Sequence, residues 1–208
     1  MTDPAGRPAA RLVLATANSR KLVELARILA EEHAEVTLAD LAEFPGAPSV
    51  AETGATFAEN ALLKARAIAA FTGLPTVADD SGLCVDALNG MPGVLSARWS
   101  GRHGDDEANL QLVLGQLADV PDERRSAMFA CAAALVAPDL DEHVTEGVVT
   151  GHLVREPRGA NGFGYDPIFV PDGYNITTAE MDPAEKDKIS HRGRALRALA
   201  PVIRRSVG

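Results

Sequence analysis

The stretch LVLATANSRKLVELARIL, from Leu12 to Leu29, changes period abruptly. An apolar run suited to a buried strand meets a polar break at Thr16-Ala17-Asn18-Ser19, and apolar residues then recur at helical spacing. A strand feeding directly into a helix is the unit of α/β folds, and the rest of the chain keeps alternating in the same way. Leu12 to Thr16 predicts a buried strand. Ser19 to about His33 predicts a helix with Leu22, Leu25, Ala26, Ile28 and Leu29 on its apolar stripe, and Val36 to Leu38 a short second strand.

Thr56-Phe57-Ala58-Glu59 fits a capping box, and the helix it opens carries Phe57, Leu62, Ala65, Ile68 and Ala69 on one face before Gly73 and Pro75. Thr76 to Ala78 then predicts a strand that stops at Asp79-Asp80-Ser81-Gly82, with Val85 to Leu88 following it. Asp105, Asp106 and Glu107 suit the first turn of a helix that buries Leu110, Val113, Leu114 and Leu117. Ala127 to Val136 and Val144 to Val154 predict long strands joined through Pro138-Asp139-Leu140-Asp141-Glu142 as an antiparallel hairpin. Ile168 to Val170 predicts a short strand, Asp182-Pro183-Ala184-Glu185 opens a helix, and Leu196, Leu199, Val202 and Ile203 mark a last one that Pro201 bends. The fold class is α/β with a mixed sheet.

With 208 residues, 46% hydrophobic and 24% charged, the chain suits one globular domain from residue 11 to residue 208. Residues 1–10 read as a mobile tail with no stretch apolar enough for a signal peptide or a membrane span, so a cytoplasmic location is expected. Cys84 and Cys131 sit in apolar surroundings and read as small buried side chains. A formal net charge of −9 argues against a surface that holds long nucleic acid, while a small anion bound with a divalent cation remains compatible with it.

Four clusters carry chemistry. A strand-to-helix loop points free N–H groups at an anion; Thr16, Asn18 and Ser19 add hydrogen bonds and Arg20 and Lys21 add charge, although an ordinary N-cap with solvated cations looks the same. In TVADDSG two adjacent carboxylates project to opposite sides, an arrangement that suits Mg²⁺ with phosphate and water, or else a turn. GANGFGYDP offers close backbone approach at its glycines, flat faces at Phe163 and Tyr165 and an acceptor at Asp166. EKDKISHRG gathers Lys186, Lys188, His191 and Arg192, and Ser190 as a cap would place two of these cations at a helix N-terminus, where they oppose the dipole. An anion cradle, a metal carboxylate, a ring platform and cationic donors together suit a nucleoside triphosphate.

In order and spacing these clusters resemble the inosine/xanthosine triphosphate pyrophosphatase, or Ham1-like, family. The motifs that carry the resemblance are LATANSRK, ETGATFAENALLKA, ADDSGLCVDALNGMPGVLSARWSG, NGFGYDPIF and EKDKISHRG, spread over nearly the whole chain. The resemblance implies an elongated mixed sheet with an active cleft between two lobes, a homodimer, Mg²⁺, and hydrolysis of dITP, ITP and XTP to monophosphate and pyrophosphate. It implies that Thr16, Ala17, Asn18, Ser19, Arg20 and Lys21 form the triphosphate loop and that Lys64 faces the phosphates. Asp80 would be proton acceptor and metal ligand, and Ser81 a substrate contact. Phe163, Gly164, Tyr165, Asp166, Lys186, His191 and Arg192 would bind the base, Arg192 as a pure donor toward the oxygen at position 6 of hypoxanthine or xanthine. Many bacterial members carry a glutamate pair where this chain reads Ala51-Glu52, which leaves Glu52 or Glu59 as replacements for a second metal ligand. The alternatives are a haloacid-dehalogenase-type phosphatase, which needs a DxD that is missing after this strand, and a nucleotide sensor without turnover.

Overall fold

The computed structural model describes residues 11–16, 18–32, 36–139 and 141–207, the side chains of Ser19, Arg20 and Val207 excepted. The tail at residues 1–10, Ala17 of the polar break, His33 and the Leu140 of the hairpin connection lie outside the described residues. The elements are β1 (Arg11–Leu14), α1 (Ser19–Glu31), β2 (Thr37–Asp40), α2 (Phe57–Thr72), β3 (Thr76–Val85), β4 (Met91–Pro92), α3 (Asp106–Gln116), β5 (Ser126–Val136), β6 (Glu142–Leu153), β7 (Phe169–Pro171), α4 (Pro183–Ile189) and α5 (His191–Val207). The class is α/β, with parallel and antiparallel strand pairs, as expected. Two compact units emerge: a first of Met1–Asp80, Ala132–Glu146 and Arg192–Gly208, and a second of Ser81–Cys131 and Gly147–His191.

In the first unit β1 lies between β2 and β3, parallel to both, with Leu12 opposite Leu38 and Val13 opposite Thr76. A strand paired on both sides and covered on both faces needs an unbroken apolar run, and Leu12, Val13 and Leu14 are all buried. α2 packs Ala61, Ala65, Ile68 and Ala69 against Val13, Ala39, Ala78, Ala132 and Ala134; so many alanines let the helix backbone come close to the strands. Its start is half a capping box. Thr56 Oγ1 accepts from Glu59 N–H (3.1 Å), but the Glu59 carboxylate reaches past the cap to Ala55 N–H (2.6 Å). Gly73 ends the helix in the left-handed region at φ 67°, its N–H donating to Ala69 O. The turn from β5 to β6 is closed by Ala137 N–H on Asp141 O (3.0 Å), and α5 accommodates Pro201 within its length.

In the second unit Leu83, Val85, Leu110, Val113, Leu117, Phe129, Ile168 and Phe169 form the core, with Phe129 and Phe169 edge to face at 4.7 Å. β4 pairs antiparallel with β3, and β7 antiparallel with β6, Leu153 facing Phe169. Asp105 caps α3 by accepting from Ala108 N–H (3.3 Å), and Asp182 caps α4 by accepting from Ala184 N–H (2.9 Å). The deepest cation of this unit, Arg125, donates to the carbonyls of Leu117 (2.7 Å), Leu153 (2.9 Å) and Val154 (3.2 Å), so it pins the end of α3 to the end of β6.

The largest departure from the sequence expectation is β3. It runs unbroken from Thr76 to Val85 through Asp79, Asp80, Ser81 and Gly82, where the sequence predicts that the strand stops. Gly82 explains part of this: a Cβ there would sit 2.4 Å from Gly93 O and Ser96 Oγ, and Leu83 N–H donates to Ser96 Oγ (2.9 Å). The glycine serves close approach of a neighbouring segment rather than a change of direction. Cys84 and Cys131 are buried thiols, and among the described residues no helix is long and apolar enough to cross a membrane.

Candidate active site

The polar break after β1 is held by its own side chains. Thr16 Oγ1 accepts from Asn18 N–H (3.1 Å), and Asn18 Oδ1 accepts from Lys21 N–H (3.4 Å) over the first turn of α1. The N-cap reading of this loop is therefore realised in Asn18. Lys21 extends from that turn and donates from Nζ to Asp79 Oδ2 (2.9 Å).

Asp79 and Asp80 are adjacent on an extended strand, so their carboxylates diverge. Asp79 Oδ2 also accepts from Arg192 Nε (3.1 Å), and Arg192 Nη1 donates to Glu24 Oε2 (2.5 Å). Asp80 turns to α2, where Asn60 and Lys64 stand one helical turn apart: Asn60 Nδ2 donates to Asp80 Oδ2 (3.0 Å) and Lys64 Nζ lies 3.4 Å from Asp80 Oδ1. Lys64 Nζ also donates to Glu52 Oε1 (2.7 Å). Glu52 sits in the ETG segment before α2, where Gly54 is required because a Cβ would fall 2.6 Å from Glu59 Cβ and 2.8 Å from Asn60 Oδ1. Gly54 N–H in turn donates to Asn60 Oδ1 (2.7 Å), so one asparagine fixes both the Glu52 segment and Asp80.

The two carboxylates differ sharply. Burial would raise Asp79, but Lys21, Arg192 and Lys64 outweigh it and hold its carboxyl well below the usual carboxylate range. Burial raises Asp80, Lys64 does not cancel that rise, and Glu52 adds to it. For Lys64 itself burial works downward, yet Asp80, Asp79 and Glu52 together raise it, so it stays an ammonium. Asp80 is thus a carboxylate with a higher proton affinity than its neighbour, only 6% exposed and oriented by two donors.

Asp80 and Glu52 converge on one ammonium, and their oxygens are hard donors of the kind Mg²⁺ takes. Among the described residues no three His, Cys, Asp or Glu side chains group as a metal cage. A cation held by one or two carboxylates and completed by phosphate oxygens and water fits this donor set. Of the two glutamates considered for a second ligand, Glu52 stands beside Asp80, while Glu59 is engaged at the start of α2.

In the second unit Asp166 organises the glycine-rich loop. Its Oδ2 accepts from Phe163 N–H (2.8 Å) and Lys186 Nζ (2.7 Å), and its Oδ1 from Thr178 Oγ1 (2.8 Å). Gly162 allows this, since at φ 75° a Cβ would lie 2.1 Å from Asp166 Oδ2. Gly164 N–H donates to Asp106 Oδ2 (3.1 Å). Lys186 Nζ sits 5.6 Å from the centroid of the Phe163 ring. A hollow here is lined by Phe129, Val149, Asp166, Thr178, Lys186 and His191, and the His191 ring stacks on Phe129 at 4.9 Å. Tyr165 belongs to the core, with its hydroxyl donating to Ser96 O (2.9 Å). Ser81 is half-buried on β3 beside Asp80.

Two clusters result, one in each unit. The sequence reading had singled out Lys21, Lys64, Asp80 and Arg192 in the first and Phe163, Asp166, Lys186 and His191 in the second. It had not marked Glu24, Asn60, Asp79, Phe129 or Thr178 as site residues. The helical spacings of Lys21 with Glu24 and of Asn60 with Lys64 are the signals that point to two of them.

A family model described as the Ham1 family matches residues 12–202. The chain belongs to the Ham1 family. Among its relatives, a dITP/XTP pyrophosphatase of Streptomyces coelicolor is 59% identical over 198 residues, covering 95% of this chain and 99% of that one. Another, from Nocardia farcinica, is 60% identical over 195 residues, covering 93% and 95%. Two solved Ham1-family structures share the fold. That of a nucleoside-triphosphatase / dITP/XTP pyrophosphatase from Mycobacterium abscessus is 58% identical with a TM-score of 0.75, covering 92% of this chain and 99% of that one. That of a HAM1 protein from Coxiella burnetii is 46% identical with a TM-score of 0.84, covering 93% and 98%.

Proposed function

We propose that this Ham1-family chain hydrolyses non-standard purine nucleoside triphosphates, dITP, ITP and XTP, to the monophosphate and pyrophosphate, with residues 11–208 acting as one functional domain. The observation that carries the proposal is Asp80: a nearly buried carboxylate, raised in proton affinity by burial and Glu52, and aimed by Asn60 and Lys64. Such a group suits a general base. The names of the relatives support the substrate class.

The chemistry assigned to the chain's own residues is simple. Water adds across the α–β anhydride; its oxygen bonds to phosphorus, its proton passes to an Asp80 oxygen, and pyrophosphate leaves with the electron pair of the broken P–O bond. Lys64, kept as an ammonium, offsets negative charge on the phosphates, and Lys21 with the donors of the Thr16 to Lys21 loop, Ala17, Ser19 and Arg20 included, holds the tail. Asp80 and Glu52 would hold Mg²⁺, which when bound supplies charge neutralisation for the triphosphate. Because phosphoryl transfer is mostly positioning and electrostatics, these groups suffice.

The base is assigned to the second unit. Phe163 and the stacked pair Phe129 and His191 offer ring faces there, Gly164 a close backbone approach and Tyr165 a wall, while Ser81 adds a contact next to Asp80. Lys186 supplies the selective bond: an ammonium only donates, so it accepts hypoxanthine or xanthine through the oxygen at position 6 and is mismatched with the amino group of adenine. Arg192, which can likewise only donate, is the second candidate for that bond, and its guanidinium is held by Glu24 and Asp79. A homodimer in the cytoplasm completes the proposal. The family resemblance supports the dimer, which sedimentation tests, and two buried cysteine thiols suit a reducing compartment.

Incubation with ATP, GTP, ITP and XTP, with and without Mg²⁺, tests the function. Pyrophosphate and monophosphate from ITP and XTP, dependent on the metal, are expected. Orthophosphate would indicate a phosphatase instead, and binding without product would indicate a sensor.

A further inference from the structure

α1 presents Lys21 and Glu24 three residues apart, one turn along the helix that follows the anion loop. Lys21 Nζ donates to Asp79 Oδ2 (2.9 Å), Arg192 Nε donates to that same oxygen (3.1 Å), and Arg192 Nη1 donates to Glu24 Oε2 (2.5 Å). The backbone of α1 closes these contacts into a ring of two cations and two carboxylates that joins α1, β3 and α5. Its formal charge sums to zero, so its members are matched to one another as well as to a ligand. It is also graded in depth: the Arg192 side chain is 3% exposed, Glu24 8% and Lys21 17%. A guanidinium at that depth needs carboxylate partners, and its rigid fork meets both of these in one orientation. The ring ends on the residue next to Asp80.

We propose that Glu24 and Asp79 are positioning residues of the pyrophosphatase reaction: through Arg192 and Lys21 they hold the first turn of α1, with its anion loop, in register with Asp80. This rests on the function proposed above. A brace of this kind acts on the alignment of the phosphate tail with Asp80, where a misplacement of about 1 Å costs roughly 100-fold in rate. The effect of loosening it falls on kcat more than on KM.

The test uses the full chain with Glu24→Gln, Asp79→Asn and the double variant, ITP as substrate and Mg²⁺ present. Each single variant is expected to lower kcat about 10- to 100-fold while KM for ITP stays within about threefold. The double variant is expected to be no worse than the weaker single, because both carboxylates act through Arg192. Glu24→Asp, which keeps the charge, is expected to recover part of the kcat that Glu24→Gln loses. In substrate-free protein, amide hydrogen exchange at Asn18 to Leu22 is expected to quicken in Glu24→Gln with the rest of the chain unchanged. Wild-type kcat in folded Glu24→Gln, additive losses in the double variant, or unchanged exchange in α1 would each overturn the proposal. If the wild-type chain releases no pyrophosphate, the functional reading fails instead, and the exchange measurement still decides whether the brace exists. If Asp79→Asn does not fold, Glu24→Gln and Glu24→Asp carry the decision.

Discussion

Asp79 and Asp80 are consecutive residues of one strand whose carboxyl groups are driven in opposite directions, Asp79 down by Lys21 and Arg192 against its burial, Asp80 up by burial and Glu52. Extended backbone sends them to different partners, so one is a fixed anion inside a salt-bridge ring and the other a buried carboxylate of raised proton affinity. In the proposed reaction that difference assigns the proton transfer to Asp80 and the brace to Asp79.

Asn60 is the hinge pin of the Asp80 cluster, since its amide bonds both Gly54 N–H and Asp80 Oδ2. Asn60→Ala leaves the partly buried Gly54 N–H without its acceptor and removes a donor from a buried carboxylate. We expect a loss of stability of about 1–3 kcal/mol, read by denaturant unfolding, together with a fall in kcat.

Gly162 and Gly164 both have positive φ, but only Gly162 has Asp166 where a Cβ would go; at Gly164 nothing lies within 4 Å. Gly162→Ala is expected to eject Asp166 from its contacts with Phe163 and Lys186 and to raise KM for ITP well beyond the change in Gly164→Ala. The latter carries backbone strain alone, about 1 kcal/mol. Equal KM values in the two variants would contradict the role given to Asp166.

Lys186→Gln keeps a donor toward Asp166 but adds an acceptor that adenine's amino group can use. The preference for ITP over ATP, measured as the ratio of kcat/KM values, should fall by about tenfold or more.

Tyr165 is raised above its ordinary value by burial and by Asp106, and its hydroxyl donates to Ser96 O. A raised folded-state value means that the neutral phenol is favoured by folding. The associated stability is fully present below about pH 10 and is lost as pH rises further. Unfolding free energies between pH 8 and 11 should therefore decline more steeply above pH 10 in the wild type than in Tyr165→Phe.

What the sequence disclosed follows from range. The start of α2 was legible because Thr56 and Glu59 act over three residues, though Glu59 chose Ala55 over the cap. The buried run of β1 was legible because a doubly covered strand needs continuous apolar residues. β3 was misread at Asp79-Asp80-Ser81-Gly82 because what keeps it extended lies elsewhere in the chain: Lys21 and Arg192 hold Asp79, Asn60 holds Asp80, and Ser96 receives Leu83. Charged and turn-forming residues read as a stop when their distant partners are invisible. For the same reason nothing beside Glu24 in the sequence points to its partner Arg192, against which it is buried.

The central claim is that Asp80 takes the proton of the attacking water. The direct measurement is turnover of ITP to pyrophosphate by Asp80→Asn beside its affinity for a non-hydrolysable ITP analogue, both with Mg²⁺. The account predicts a fall in kcat of about 10²- to 10⁴-fold with the analogue still bound. Wild-type turnover in that variant would contradict it.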